Sequence, residues 1–262
     1  MSYIEELVSA LGKEKVLLDP SERFVYGTDW SPRTPDEFAP PDVVVLPRTT
    51  KDVQRIVKIA YEHDVPVTAG AGLTGMLGGA IALYGGIYVD TTTMSSIVEI
   101  DPKNQTVRVQ AGATLQEVND AVQAYDLWLP HQPESKWVST VGAAIACDND
   151  STFGVRYGKI LNCLLSAEIV TGTGEVVELG HRKAHFTSSG YKLKDLLAGS
   201  EGTLGIITEA TLKLEPIPAV RRVDMLVFPR MGTAVDYLSK LLKAGLCLEA
   251  AHINCKQRLK FY

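Results

Sequence analysis

Residues Gly70 to Gly75 read Gly-Ala-Gly-Leu-Thr-Gly, the pattern G-x-G-x-x-G. Glycines at that spacing let backbone N–H groups gather around a phosphate with no side chain in the way. A dinucleotide turn of the doubly wound kind requires a strand before the motif and a helix after it, so that the pyrophosphate meets a helix N-terminus. The run "VPVTA" supplies the strand, but Gly78 and Gly79 fall where the helix would start, and each glycine there disfavours a helix by about 1 kcal/mol relative to alanine. Asp90 stands at a tolerable distance to meet a ribose, yet it ends the strand-like run "GIYVD" with no helix between. The stretch is expected to be a helix-free loop. On its own it is either a phosphate cradle or a tight turn between strands.

Two further stretches have residue types suited to close backbone approach and polar contact. One is "STVGAAIACDND", Ser139 to Asp150; the other is "LLAGSEGTLGIITEATLKLEP", Leu196 to Pro216. His181 and His185 have the i, i+4 spacing of two metal ligands on one helical face, but no carboxylate partner accompanies them, and a solvated loop is the expected state. No metal site is predicted. His131, in "LPHQPES", is expected to be an ordinary loop histidine, with contact to a bound cofactor or substrate as the alternative reading. Lys192, Lys194 and Asp195 read as the wet face of a short helix with Leu193, Leu196 and Leu197 inward, and Trp30, Trp128 and Trp137 as core or interface aromatics. There is no nucleophile elbow and no Ser-His-Asp order, which leaves hydrolase chemistry without support.

The elements that must position these residues carry clear signals. Ser2 with Glu5, Thr49 with Asp52, Thr114 with Glu117 and Thr233 with Asp236 fit the helix-capping pattern. Val53, Ile56, Val57, Ala60 and Tyr61 recur at helical spacing in the second of these helices, and Leu115, Val118, Ala121 and Val122 do so in the third. Strands are expected in "DVVVLP", "VPVTA", "GIYVD", "SIVEID" and "TVRVQAG", as a hairpin in "LSAEIVTGTGEVVEL", and in "TLGIITEATLKLEP" up to Pro216. The pattern is α+β or α/β with two sheet regions. The prolines of "LEPIPAVRR" suggest a break, placing residues 1–220 in one domain and 221–262 at the beginning of another. That second part offers a strand "VDMLVFP", a helix from Thr233 to about Ala244 closed by Gly245, and one more strand-like run, too little for a core of its own.

Composition narrows the class. The chain has 262 residues, 45% of them hydrophobic and 22% charged, which is ordinary for a globular protein. A formal net charge of −5 gives no general attraction for nucleic acid or anionic lipid. The four cysteines show neither C-x-x-C nor zinc-finger spacing, and they are expected to be reduced and mostly structural in a cytoplasmic protein. The N-terminus lacks the features of a signal peptide. Val65 to Val89 is free of charge and long enough to span a bilayer, but its seven glycines, Pro66 and flanking Asp64 and Asp90 argue against a membrane span.

With "VVVLPRTTKDVQRIVKIAYEHDVPV" ahead of the glycine loop, the blocks above closely resemble the FAD-linked oxidase family that includes D-lactate dehydrogenases and the large subunit of glycolate oxidase, from about Asp19 to at least Pro216. The resemblance implies an α+β fold of the p-cresol methylhydroxylase and vanillyl-alcohol oxidase type. In it two subdomains hold an extended FAD, and a cap domain follows, of which this chain would carry only the start. Gly70, Ala71, Gly72, Leu73, Thr74 and Gly75 would then cradle the pyrophosphate. Pro133, Glu134 and Ser135, then Ser139, Thr140 and Gly142, with Asp148 and Asn149, would lie beside the flavin and pyrophosphate. Glu201, Gly202, Gly205 and Ile206 would close on the cofactor.

The chain departs from the family in having no arginine in the loop, in Leu73, in Ala143 with Ala144, and in Asp150 with Ser151. With no His or Cys in the loop, FAD is expected to be non-covalent. The activity implied is oxidation of a 2-hydroxy acid such as D-lactate or glycolate, with a quinone, a carrier protein or oxygen as electron acceptor. The family's catalytic residues lie in the cap, and none is carried over. Two alternatives stand beside it: a non-catalytic FAD-holding subunit or truncated remnant needing a partner chain for its cap, and the flavin subunit of a molybdenum hydroxylase, against which "GSEGTLGIITEA" argues.

Overall fold

The computed structural model describes residues 1–32 and 38–255. Helix α1 (Tyr3–Leu11) begins at the Ser2/Glu5 capping box and buries Leu7 and Leu11. Strand β1 (Val16–Leu17) and helix α2 (Pro20–Phe24) follow, the latter capped by Asp19 with proline at its first position, where no N–H is missed. Strand β2 (Val43–Val45), helix α3 (Thr50–Glu62), strand β3 (Val67–Gly70) and strand β4 (Ile87–Asp90) complete a four-stranded sheet of order β1-β2-β4-β3. β4 pairs in parallel with both β2 and β3, while β1 runs antiparallel to β2. Every residue of β2 and β4 is buried, as expected of parallel strands covered on both faces.

A second sheet is wholly antiparallel, in the order β5-β6-β10-β8-β9. Its strands are β5 (Ile97–Asp101), β6 (Thr106–Gln110), β8 (Leu164–Val170), β9 (Val176–Gly180) and β10 (Ile206–Lys213). Between them lie helix α4 (Leu115–Gln123), strand β7 (Leu127–Trp128) and helices α5 (Val141–Cys147), α6 (Gly154–Tyr157) and α7 (Ile160–Cys163). Val107 and Val109 of β6, Leu115, Val118 and Val122 of α4, and Val141 and Ile145 of α5 share one core. The α3 side chains Val53, Ile56 and Ala60 form another with Val43, Ile87 and Val89, and Val170 and Ile206 of the second sheet belong to it too. Glu168 ties the layers further: its Oε1 accepts from the Thr50 hydroxyl at 2.7 Å and from the Thr208 hydroxyl at 2.9 Å.

Several expectations need correction. Pro216 does not end β10 directly; β10 stops at Lys213, and Pro216 lies in strand β11 (Glu215–Pro216), which pairs with β7. The run Val223 to Pro229 is no strand: Val223, Met225 and Val227 are exposed with no neighbouring strand among the described residues. Helix α8 (Met231–Lys243) starts ahead of Thr233, follows Arg230 without a side-chain cap, and ends before Gly245 at φ 77°. No strand follows it among the described residues. Tyr61 points outward from α3. In the 3₁₀ turn Leu193–Leu197 only Leu197 is buried, because one short turn can press only one apolar side chain inward. Trp30 and Trp137 are 76% and 66% exposed; Trp128 alone is buried, edge-on to Phe153 and Tyr157. Of the four free cysteines only Cys163 is buried. The uncharged stretch from Val65 to Val89 folds as β3, a loop and β4, and no described helix is long and apolar enough to cross a membrane.

Candidate functional site

Strand β3 delivers Gly70 to the edge of the first sheet, where its carbonyl accepts from the Thr91 hydroxyl at 3.1 Å. Beyond it the chain leaves the sheet without forming a helix. Leu73 takes a left-handed conformation at φ 53° and packs its side chain against the buried cluster of Val44, Ala82 and Tyr88. The far end of the loop is pinned by Asp29 and Trp30: the Gly75 carbonyl accepts from the Trp30 amide at 3.0 Å, and the Gly78 amide donates to Asp29 Oδ2 at 3.0 Å. Among the described residues, no protein acceptor is paired with the amide N–H of Ala71, Gly72, Leu73, Thr74 or Gly75. A run of unpaired N–H groups on a glycine loop is what an anion such as a pyrophosphate requires. Two glycines are obligatory here: a Cβ on Gly70 would overlap the Tyr88 hydroxyl, and one on Gly72 would overlap the Val138 carbonyl oxygen.

That second approach brings the loop against the segment from Pro133 to Ser139. Ser135 turns it, its carbonyl accepting from the amides of Val138 and Ser139 at 2.9 and 2.8 Å. Pro133 is half-buried and Glu134 exposed. Thr140 caps α5 through its hydroxyl, and the Gly142 amide donates to the Ala111 carbonyl at 2.8 Å, so close that a Cβ on Gly142 would stand 2.7 Å from the Ala111 Cβ. At the other end of α5, Asp148 is left-handed at φ 44°, with Lys159 Nζ 3.0 Å from its carbonyl oxygen and 3.3 Å from its Oδ2. Asn149 Oδ1 accepts from His131 Nε2 at 2.8 Å. His131 is 1% exposed, its Nδ1 has no partner, and burial holds its pKa below the ordinary imidazole value, with Asn149 opposing. The imidazole is therefore neutral and protonated on Nε2. Ser151 completes the tie, accepting from the Gln132 amide at 2.9 Å and donating to the Pro130 carbonyl at 3.2 Å.

The third block meets both of the others. The Glu201 amide donates to the Ala146 carbonyl of α5 at 3.0 Å, and its carboxylate lies 2.9 Å from the place of a Cβ on Gly79. Gly202, Gly205 and Ile206 line a cleft of about 620 Å³ between the free edge of β3, where Val67 and Ala69 face it, and the end of the second sheet. Gly70 to Gly75 do not line that cleft; they lie at the C-terminal end of the strand that walls it. The expected residues thus fall into two neighbouring groups joined by Glu201, with Glu134 apart on the surface. Sequence reasoning passed over Asp29, Tyr88, Thr91 and Gly112, where a Cβ would overlap the Thr91 carbonyl. Only Gly112 carries a signal, as a glycine two residues past the end of β6. His181 and His185 lie in a turn, with His185 Nε2 2.8 Å from the Asn104 carbonyl oxygen. Among the described residues no group of three metal ligands occurs.

Comparison with known proteins bears on this arrangement. The family model of the FAD binding domain matches residues 41–180, just over half of the 262 residues. The chain belongs to that family, and FAD is its cofactor. It is 32% identical over 92% of its length to "Glycolate oxidase subunit GlcD" of Bacillus subtilis, covering 51% of that protein. It is 38% identical over 73% of its length to a D-lactate dehydrogenase of Anaerostipes hadrus, covering 39% of that one. Among solved structures, an alkyldihydroxyacetonephosphate synthase superposes with a TM-score of 0.80 at 25% identity over 93% of this chain and 45% of that one. A p-cresol methylhydroxylase superposes at 0.71 with 23% identity over 83% and 44%, which speaks to the fold, the α+β type that the sequence resemblance implied. The chain spans about half the length of the curated relatives it matches.

Proposed function

We propose that this chain is the FAD-binding part of an oxidoreductase that oxidises a small 2-hydroxy acid, such as D-lactate or glycolate, and passes the electrons to a quinone, a carrier protein or oxygen. The observation that carries the reading is the loop Gly70–Gly75, with its unpaired amides and glycines hemmed in by Tyr88 and Val138. The residues present fit the cofactor. Ala71 to Gly75 would hold the pyrophosphate through backbone N–H groups. The cleft beside Gly202, Gly205 and Ile206 has room for the adenosine end. The segments Pro133–Ser135, Ser139–Gly142 and Asp148–Asn149 would border the flavin, with binding non-covalent. When bound, FAD supplies the acceptor for the hydride that leaves the α-carbon of the acid. The residues named here bind and orient it; none is assigned to take the substrate proton. In domain terms, residues 1–220 would form the cofactor unit and 221–262 part of a second one.

Titration of the purified chain with FAD, followed by D-lactate and glycolate under anaerobic conditions, tests this. Binding with bleaching of the flavin by either acid supports it. Binding with bleaching only after a second chain is added would make this protein a cofactor-holding subunit, and failure to bind FAD would refute the reading.

A further inference from the structure

Tyr88 lies in the middle of β4, with its side chain on the sheet face opposite α3. It is fully buried, and its hydroxyl has no hydrogen-bond partner. With no hydrogen bond made by that hydroxyl, the side chain acts here through its bulk. The hydroxyl stands where a side chain of Gly70 would be, against the start of the glycine loop. The same ring belongs to the buried cluster that receives Leu73, the left-handed residue at the middle of that loop. Tyr26 backs the ring at 5.0 Å between centroids and donates to Asp90 Oδ2 at 2.9 Å, which fixes the platform from below. One side chain thus meets the loop at its first residue and helps form the socket for its central one.

We propose that Tyr88 is a positioning residue for the anion cradle: by filling the space at Gly70 and supporting Leu73 from below, it turns the loop's apolar side chain inward and leaves the amides of Ala71 to Gly75 facing a pyrophosphate. The proposal rests on the FAD reading above. It assigns the effect to the bulk of the side chain, whose Cζ also stands 2.6 Å from the place of a Cβ on Gly70, and not to hydrogen bonding by the hydroxyl, and it makes Gly70 and Tyr88 a size-matched pair.

Dissociation constants for FAD and for ADP, which shares the pyrophosphate, measured with the apoprotein unfolding midpoint, test it on Tyr88→Phe, Tyr88→Val, Gly70→Ala and the double variant Gly70→Ala/Tyr88→Val. Tyr88→Phe is expected to bind both ligands as the parent does. Tyr88→Val and Gly70→Ala are each expected to lose about tenfold or more in both affinities, the scale of a loop displaced by a cavity or by overpacking. The double variant is expected to bind more tightly than Gly70→Ala alone, because the smaller residue makes room for the new methyl group. A purely structural role would lower the unfolding midpoint without that recovery. Parent-like affinity in Tyr88→Val, or strictly additive losses in the double variant, would overturn the proposal. Failure of the unaltered protein to bind FAD would instead overturn the reading on which it rests.

Discussion

The carbonyl oxygen of Val138 occupies the position that a Cβ on Gly72 would need. The contact joins residues 66 positions apart (138 − 72) and locks the glycine loop to the segment that turns at Ser135. Backbone cannot give way as a flexible side chain can, so the approach dictates glycine at this position.

Gly72→Ala is accordingly expected to shift the loop off Val138 and weaken FAD binding by about tenfold or more, on the scale of a forced backbone shift, while the fold survives. Fluorescence titration with FAD and circular dichroism of the variant check this. Unchanged affinity would show that the loop accommodates a methyl group and that the contact is incidental.

His131 gives a pH dependence. Burial depresses its pKa in the folded protein, while the unfolded chain has an imidazole near the ordinary value of about 6.5. The unfolded state therefore binds a proton first as the pH falls. The contribution is fully present above about pH 6.5 and is lost below it, down to the folded pKa, with a slope approaching about 1.4 kcal/mol per pH unit. Stability curves of the parent and His131→Gln should diverge through that window, the variant lacking this share of the slope. Parallel curves would mean that His131 titrates alike in both states.

The signals that proved legible in the sequence were local ones. Ser2, Thr49 and Thr114 cap helices as expected, since a hydroxyl acting on an amide two or three residues away needs no tertiary partner. Thr233 follows the same pattern without being used, because α8 starts at Met231. Strand β4 and the helix-free loop were readable from the glycines and from the apolar run before Asp90. The long-range relations were not: nothing in the spacing of residues says that Asp29 caps the Gly78 amide or that Tyr88 lies under Gly70. Trp30 and Trp137 were misplaced for the same reason, since hydrophobicity favours burial without saying which surface is available. The run Val223–Pro229 shows that strand composition makes no strand where no neighbouring strand lies beside it.

Glu168 of β8 joins the start of helix α3 to the second sheet through the Thr50 and Thr208 hydroxyls. Glu168→Ala removes a charged acceptor shared by both, and a loss of about 2 kcal/mol is expected from the usual worth of such bonds. The measurement is the urea midpoint at constant m-value. No change would mean that hydration at this junction already matches the two bonds.

Ligand linkage supplies a further check. A cofactor that binds only the folded chain stabilises it in proportion to RT ln(1 + [L]/Kd), about 2.7 kcal/mol at a hundredfold excess over Kd. The thermal midpoint should therefore rise with FAD and with ADP, and less with riboflavin, which lacks the pyrophosphate. An equal response to all three would place the binding energy outside the glycine loop.

The most direct test of the account is the visible absorption spectrum of the purified protein after incubation with FAD and removal of free ligand. A retained flavin band, released on denaturation as intact FAD, is the result expected of a non-covalent site built on Gly70 to Gly75. A colourless, folded protein would contradict it.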